Sequence, residues 1–273
     1  MFYFMQTLTY QALKINQNTP TTIQDVLVVE APLQININNE PYTVVMRTPD
    51  NDKELIIGLL YAEDIYKNKT PLQLNIVEKQ NEINTIINVS IPENLLGKGY
   101  LNKRTLLSVS SCGICGKKEL KDLKVNGKKI SETITFSSNI LHDMISKMNF
   151  FQHTFKSSGG SHAAALFNKK HEFLTLKEDI GRHNAVDKVI GDLQIKNYLP
   201  QANFLIVSGR VSYEIISKAF IAKIPVIIAV SACSSLAVDF AKEFGICLIG
   251  FTRENKMTIY SNPSLVKTEI VDV

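Results

Sequence analysis

The sequence has no apolar run long enough to cross a bilayer. Apolar runs such as Phe204-Leu205-Ile206-Val207 and Pro225-Val226-Ile227-Ile228-Ala229-Val230 fall far short of the roughly 20 residues a spanning helix needs. The opening MFYFMQTLTYQ lacks the basic head and small-residue cleavage site of a signal peptide, so the expected location is the cytoplasm, with no membrane partner. Charge of one sign is also lacking. Thirty Lys plus Arg against 26 Asp plus Glu leave +4, too little to argue for a nucleic-acid partner. Internal repeats and low-complexity tracts are absent, and 45% hydrophobic with 21% charged residues excludes a disordered or collagen-like chain. Only four cysteines are present, without an export signal, so a disulfide framework is not expected. At roughly 150 residues per domain, 273 residues allow about two domains.

What is present changes character near residues 100–130. Before it, period-two alternation predicts strands at Asp25–Glu30 and Leu33–Asn38, with Asn39-Glu40 turning into a strand at Tyr42–Arg47. Pro49-Asp50-Asn51-Asp52 is read as a loop with an N-cap for a helix over Glu54–Tyr66, and strands follow at Gln73–Val77 and Ile83–Ser90. Residues 1–105 are therefore an α+β N-terminal domain, and residues 106–130 a mobile connector.

Residues 131–273 form an α/β domain in this reading. Ser137-Ser138 caps a helix to about Lys147, Gly160–Phe167 and Glu172–Leu176 pair as strands, and a helix runs over Arg182–Leu193. Three similar steps follow. Strand Phe204–Val207 leads to helix Tyr213–Ala222, strand Val226–Val230 to helix Leu236–Phe244, and strand Ile246–Gly250 through a loop at Phe251–Lys256 to strand Met257–Tyr260. Wholly apolar strands alternating with helices predict a largely parallel sheet covered on its faces.

In open sheets of this kind, ligands bind beyond the carboxyl ends of the parallel strands. That rim would carry Ser208-Gly209-Arg210, Ser231-Ala232-Cys233-Ser234-Ser235, and Phe251-Thr252-Arg253-Glu254-Asn255-Lys256. Two of these loops feed helix N-termini, where free N–H groups and the helix dipole favour an anion. Arg210, Arg253 and Lys256 add positive charge, and guanidinium suits phosphate geometry, which points to a phosphate-bearing ligand such as a nucleotide. Three loops on one rim outweigh the reading of each as a mere polar turn. A second dense stretch runs from Glu178 to Lys188. At helical spacing His183 and Asp187 share a face with Asn184 and Lys188 beside them, making His183 a candidate ligand contact. A plain helix with an Asp179 cap and ion pairs would look similar. Gly159-Gly160-Ser161-His162 is a third candidate, a flexible turn carrying a histidine, although His162 taken alone reads as a hydrogen-bonded structural residue.

The remaining feature is Cys112-Gly113-Ile114-Cys115, followed by Lys117, Lys118, Lys121, Lys124, Lys128 and Lys129. The lysines are either a solvated face or a device to steer an anionic ligand or acidic partner. The cysteines support three chemistries. They are half of a zinc site, although no second C-x-x-C or H-x-x-x-H supplies the other two ligands, so no metal of the protein's own is predicted. They are a dithiol redox pair, which ordinarily opens a helix near a βαβ unit. Or they carry a persulfide, in which a thiolate takes sulfane sulfur, holds it as Cys–S–SH and passes it on. The other two cysteines, Cys233 and Cys247, read as small buried hydrophobes. Zinc deaminase chemistry is excluded, because no His-x-Glu occurs.

Together these residues resemble the formate dehydrogenase accessory sulfurtransferases, the FdhD family. The likeness runs through Glu40–Pro49, Glu54–Leu60, Ser111–Gly116, Gly160–Ala165, Glu178–Lys188, Ser208–Glu214, Ser234–Val238 and Gly250-Phe251, in that order. The resemblance implies a cytosolic sulfurtransferase that takes persulfide sulfur from a cysteine desulfurase. It delivers that sulfur to the molybdenum (or tungsten) bis-molybdopterin guanine dinucleotide cofactor needed by formate dehydrogenase. It also implies a cytidine-deaminase-like C-terminal domain without deaminase chemistry, a homodimer, Cys112 as persulfide carrier and Cys115 as relay or second thiol. The guanine nucleotide part of the cofactor would contact Phe251 to Lys256. A different class of function remains beside it: a non-catalytic chaperone that holds the finished cofactor, with the C-x-x-C as a structural zinc or redox site.

Overall fold

A computed structural model describes residues 6–80, 83–101, 127–131, 134–253 and 256–267. The chain opens with a two-stranded antiparallel ribbon, β1 (Thr7–Asn16) and β2 (Thr19–Val28). The sequence pattern hides β1 because the ribbon is solvated on both sides, so no buried face imposes alternation. Next come β3 (Ala31–Ile37), β4 (Glu40–Arg47), α1 (Asp52–Ala62), β5 (Gln73–Gln80) and β6 (Asn84–Ser90). They make a four-stranded sheet in the order β4-β3-β6-β5, with β3 and β6 parallel. Leu33, Ile35 and Ile37 of β3 alternate inward against Leu55, Ile56, Leu59 and Leu60 of α1. That helix is shorter than Glu54–Tyr66, because Asp64 turns into the left-handed region at φ 58°. At its other end Asn51, also left-handed, makes no side-chain capping bond.

The second half contains β7 (Phe136–Ser137), α2 (Ser138–Phe151), α3 (His153–Ser158), β8 (His162–Phe167), β9 (Phe173–Asp179) and α4 (Arg182–Ile195). After them come β10 (Phe204–Val207), α5 (Tyr213–Ile221), β11 (Val226–Ala229), α6 (Ser235–Phe244), β12 (Cys247–Arg253), β13 (Lys256–Ser261) and β14 (Val266–Lys267). Ser137 caps α2 by accepting a hydrogen bond from the Asn139 amide. Six strands form one sheet in the order β13-β12-β11-β10-β8-β9. Only the β10–β11 and β11–β12 pairings are parallel, so the expectation of a largely parallel sheet is corrected to a mixed one. The β8–β9 pair, joined by a tight turn at Asn168–Glu172, lies antiparallel beside β10, and β13 folds back on β12. The parallel core is buried on both faces, which explains its continuous apolar runs. Leu205, Val207, Ile227 and Leu248 face α4, α5 and α6, while Phe204, Ile206, Val226 and Ile228 face α2.

The two sheets meet through α1 and α4. A Cβ on Gly58 would lie 1.8 Å from the Asp187 carbonyl oxygen, and one on Gly191 would lie 1.9 Å from that of Glu54. No side chain fits at either position, so the two glycines set the close approach of the helices. Among the described residues no helix is long and apolar enough to cross a membrane.

Candidate functional site at the carboxyl rim of the parallel strands

Three loops converge at the carboxyl ends of β10, β11 and β12. Past β10, Ser208-Gly209-Arg210 runs into a short parallel bridge between Val211 and Cys233, held by Val211 N–H to Ala232 O and Ser234 N–H to Val211 O, both 3.0 Å. Past β11, Ser234 caps α6 through the Ala237 amide at 3.2 Å. The antiparallel neighbour β8 starts at this same edge. His162 pairs with Asp179, the last residue of β9, and Arg182 opens α4 three residues further on.

The expected loop at Phe251–Lys256 is instead a hairpin. β12 continues to Arg253, which pairs with Lys256 at the start of β13, across a register shift between Gly250 and Arg253. Phe251 absorbs that shift with φ 52°, a left-handed conformation rare for a bulky residue, while its amide donates to Ser231 O at 3.0 Å. Its ring is 41% exposed, whereas Thr252 is fully buried with no hydrogen-bond partner for Oγ1 among the described residues. Arg253 and Lys256 are exposed. A strained aromatic turned to solvent presents a planar face at the open end of the sheet.

The other expected site residues fall in different places. Arg210 is exposed on the rim, but the Ser208 hydroxyl accepts from the Ala163 amide at 2.9 Å and so extends the β8–β10 pairing. His183 is buried, its Nε2 3.0 Å from Ser212 Oγ and its Nδ1 3.4 Å from the Glu214 carboxylate. Cys112, Cys115, Glu254 and Asn255 lie outside the described residues, as do Lys117, Lys118, Lys121 and Lys124; Lys128 and Lys129 are exposed.

The dense stretch Glu178–Lys188 is used mostly for holding the two sheets together. Asp179, fully buried, accepts from the amides of Thr48 (3.1 Å) and Gly181 (2.7 Å) and from Asn184 Nδ2 (2.9 Å), and it pairs with Lys188 Nζ at 2.8 Å. Lys188 also donates to Thr48 O, and Asn184 to Met46 O, so the end of β4 is fastened to α4. Glu178 accepts from the amides of Thr154 and Phe155 and from Ser161 Oγ. Deeper in, Asp187 pairs with Lys218 at 2.7 Å, and Lys218 stands 3.4 Å from Glu214. Burial pushes the Asp187 carboxyl up to about 7 against the pull of Lys218. Burial alone would lower Lys218, but Asp187, Glu214 and Glu63 outweigh it and hold the ammonium above its ordinary range.

Two residues from the other candidate stretches, His162 and Arg182, stand beside Gly209 at this rim. His162 is a half-buried imidazole, and a Cβ on Gly209 would lie 3.2 Å from its Nδ1. Burial, then the guanidiniums of Arg182 and Arg210, hold it below the usual histidine range, while Asp179 pulls the other way.

The free thiols differ from the expectation of two buried hydrophobes. Cys247 is buried in β12, but Cys233 is only part-buried, because it sits at the open end of the sheet where Gly250 leaves room for its Sγ. Burial raises Cys233 to about 11 and Cys247 to about 12. Thiolate is the reactive form. In a Cys112→Ser/Cys115→Ser chain at pH 7.5, iodoacetamide should therefore label Cys233 about a hundredfold and Cys247 about a thousandfold more slowly than an ordinary free thiol, and both at the ordinary rate after denaturation. Native labelling of Cys233 at the ordinary rate would refute this.

A family model described as the FdhD/NarQ family matches residues 28–267. The chain is similar to the sulfur carrier protein FdhD of Sulfolobus acidocaldarius, 36% identical over 263 residues, covering 96% of this chain and 99% of the relative. It is likewise similar to the protein of that name from Picrophilus torridus, 42% identical over 252 residues, covering 89% and 93%. In structure it resembles a formate dehydrogenase accessory protein from Desulfotalea psychrophila, with a TM-score of 0.74 over 96% of this chain and all of that one. At 18% identity that likeness shows the fold alone. With a family model spanning most of its length and full-length relatives above 30% identity, the chain belongs to the FdhD/NarQ family.

Proposed function

We propose that the protein is a sulfurtransferase. It takes sulfane sulfur from a cysteine desulfurase onto Cys112 and passes it to the metal of a molybdenum or tungsten bis-molybdopterin guanine dinucleotide, the cofactor of formate dehydrogenase. The observation that carries this reading is the pairing of a C-x-x-C motif with a rim suited to a nucleotide. Arg210 and Arg253 are exposed there for phosphate, and Phe251 presents an aromatic face. The names of the relatives, sulfur carrier protein and formate dehydrogenase accessory protein, support it.

The loading step balances without an oxidant. The Cys112 thiolate attacks the terminal sulfur of the donor's persulfide, a new S–S bond forms at Cys112, and the donor's S–S bond breaks. The donor cysteine leaves as a thiolate and takes the proton that Cys112 lost. Cys115, three residues on, is placed in sequence to relay the sulfur or support the first thiol. The same reading takes the helix-covered six-stranded sheet as a cytidine-deaminase-like scaffold that has no deaminase chemistry, and the working form as a cytoplasmic homodimer.

Intact-protein mass spectrometry after incubation with a cysteine desulfurase and cysteine tests the loading step. The wild type should gain about one sulfur atom, and Cys112→Ala should gain none. No added sulfur on the wild-type chain with a competent donor would overturn the proposal in favour of a chaperone that only holds the cofactor. Stoichiometric zinc lost on changing either cysteine would do the same.

A further inference from the structure

Strands β1 and β2 pair over ten rungs, from Thr7 opposite Val28 to Asn16 opposite Thr19, in one register without a bulge. The base of this arm is fastened to the body of the protein. Gln6 Nε2 donates to the Asp50 carboxylate at 3.3 Å, the Thr154 hydroxyl donates to Gln6 Oε1 at 2.6 Å, and a Cβ on Gly160 would lie 2.7 Å from Val28 Cγ1. Between Thr9 and Leu27 every residue is exposed except the half-buried Ala12, Ile23 and Val26. A two-stranded ribbon in water is marginally stable by itself and needs a covered apolar face.

Residues opposite one another in the ladder share a face, and every second rung returns to it. One face runs from Leu8–Leu27 through Tyr10–Asp25 and Ala12–Ile23 to Lys14–Thr21. Its apolar stripe is unbroken from Leu8 to Ile23 and includes Tyr10 at 52% and Leu27 at 44% exposure. The other face is interrupted half-way along by Gln11 opposite Gln24. A continuous exposed stripe of this kind is what a protein partner covers.

The charges say which partner. Between Thr7 and Val28 the chain carries only Lys14 and Asp25 as charged residues. An arm with no net charge offers nothing to attract an anionic lipid surface or a strongly charged protein. Lys14 and Asp25 both lie on the apolar face, one same-face rung to either side of Ala12–Ile23. Two arms facing each other antiparallel, about a two-fold axis through that rung, therefore bring Lys14 of each level with the partner's Tyr10 and the partner's Asp25. Opposite charges meet twice, and the Ala12–Ile23 rung packs on itself between them. Parallel arms would set like charges at the same level instead. The face is thus complementary to itself, which an isologous dimer contact requires.

We propose that the β1–β2 arm is a dimerisation surface, packing through its Tyr10, Ala12 and Ile23 face against the same face of a second copy with the two arms antiparallel. The inference rests on the homodimer that the proposed function takes as the working form, and it names the surface and the register.

Sedimentation equilibrium of the full chain tests this. The wild type should be a dimer. Ile23→Asp puts two carboxylates at the axis, and Lys14→Glu sets an acid against the partner's Asp25 at both ends, so each should weaken association about tenfold or more. The charge swap Lys14→Glu/Asp25→Lys should bring the dissociation constant back to within about threefold of wild type. Gln24→Glu, on the other face, should leave it unchanged. Thermal melts within a few degrees of wild type confirm folding. A wild-type chain that stays monomeric at every concentration reached would overturn the homodimer and the arm together. A dimer untouched by Ile23→Asp would keep the homodimer and overturn the arm as its surface. Loss of association in Lys14→Glu without recovery in the charge swap would overturn the antiparallel register. Sulfur loading on Cys112 is read separately, so its failure removes the sulfurtransferase and leaves the dimer contact.

Discussion

A Cys112→Ala chain should leave cells without formate dehydrogenase activity, while the chain itself accumulates at its normal level. If Cys112 carries the sulfur, no neighbouring group replaces it, because sulfane sulfur is held only by another sulfur. Losing a covalent nucleophile typically costs about a thousandfold or more, so activity should fall to background. Cys112→Ser should be equally inactive, because a hydroxyl forms no persulfide. That result separates the chemistry from packing, since serine is nearly isosteric with cysteine. Cys115→Ala decides between relay and support. An obligatory relay predicts the same complete loss with sulfur still trapped on Cys112, and a supporting thiol predicts partial activity. Cys233 is not a substitute carrier, with its thiol pushed up to about 11 by burial. Full activity with Cys112→Ala, measured in cell extracts against a wild-type complement, would sink the proposed function.

The second large effect is on stability, at the Asp179–Lys188 pair. Both side chains are fully buried and 2.8 Å apart, and Lys188 reaches across to Thr48 O at 3.0 Å. In Lys188→Met the methylene stem is preserved but Asp179 keeps only neutral donors: the Thr48 and Gly181 amides and Asn184 Nδ2. Breaking a buried pair from one side costs about 3–5 kcal/mol, because the remaining charge is uncompensated. For a chain of this size that corresponds to a fall in Tm of about 10 °C. The double change Asp179→Asn/Lys188→Met removes both charges and should recover part of the loss. Calorimetry or circular dichroism reads the result. A drop of less than about 2 °C in the single variant would show that the pair is not what fastens β4 to α4.

Elements with a strong local pattern are legible in the sequence alone. Strand Phe204–Val207 has the predicted bounds, and α5 and α6 match to within a residue. These segments are buried on a stripe or on both faces, so burial writes itself into the periodicity of neighbouring residues. β1 is not legible, because a ribbon wet on both sides imposes no such pattern. The same limit explains the mixed sheet. β8 and β10 read alike as short apolar strands, and nothing in either records its direction relative to the other.

The candidate site divides in the same way. The C-x-x-C pair and the rim loops can be found from sequence, since spacing along the chain and position after a strand define them. The meaning of Glu178–Lys188 cannot. Its polar residues read as a ligand site, yet Asp179, Asn184 and Lys188 are satisfied by Met46 and Thr48, more than 130 residues away in the chain. Conversely His162, which taken alone reads as a structural histidine, comes to lie beside Gly209 only once β8 is inserted antiparallel beside β10. The strain at Phe251 likewise exists only because β13 pairs back on β12 with a shifted register. By itself, then, the sequence determined which apolar segments of the second half are buried and which loops follow the parallel strands. The tertiary structure decided which polar groups are used up inside and which stay open on that rim. A buried charge or donor must be satisfied by whatever segment packs against it, and that segment is chosen by long-range packing rather than by its neighbours in the chain.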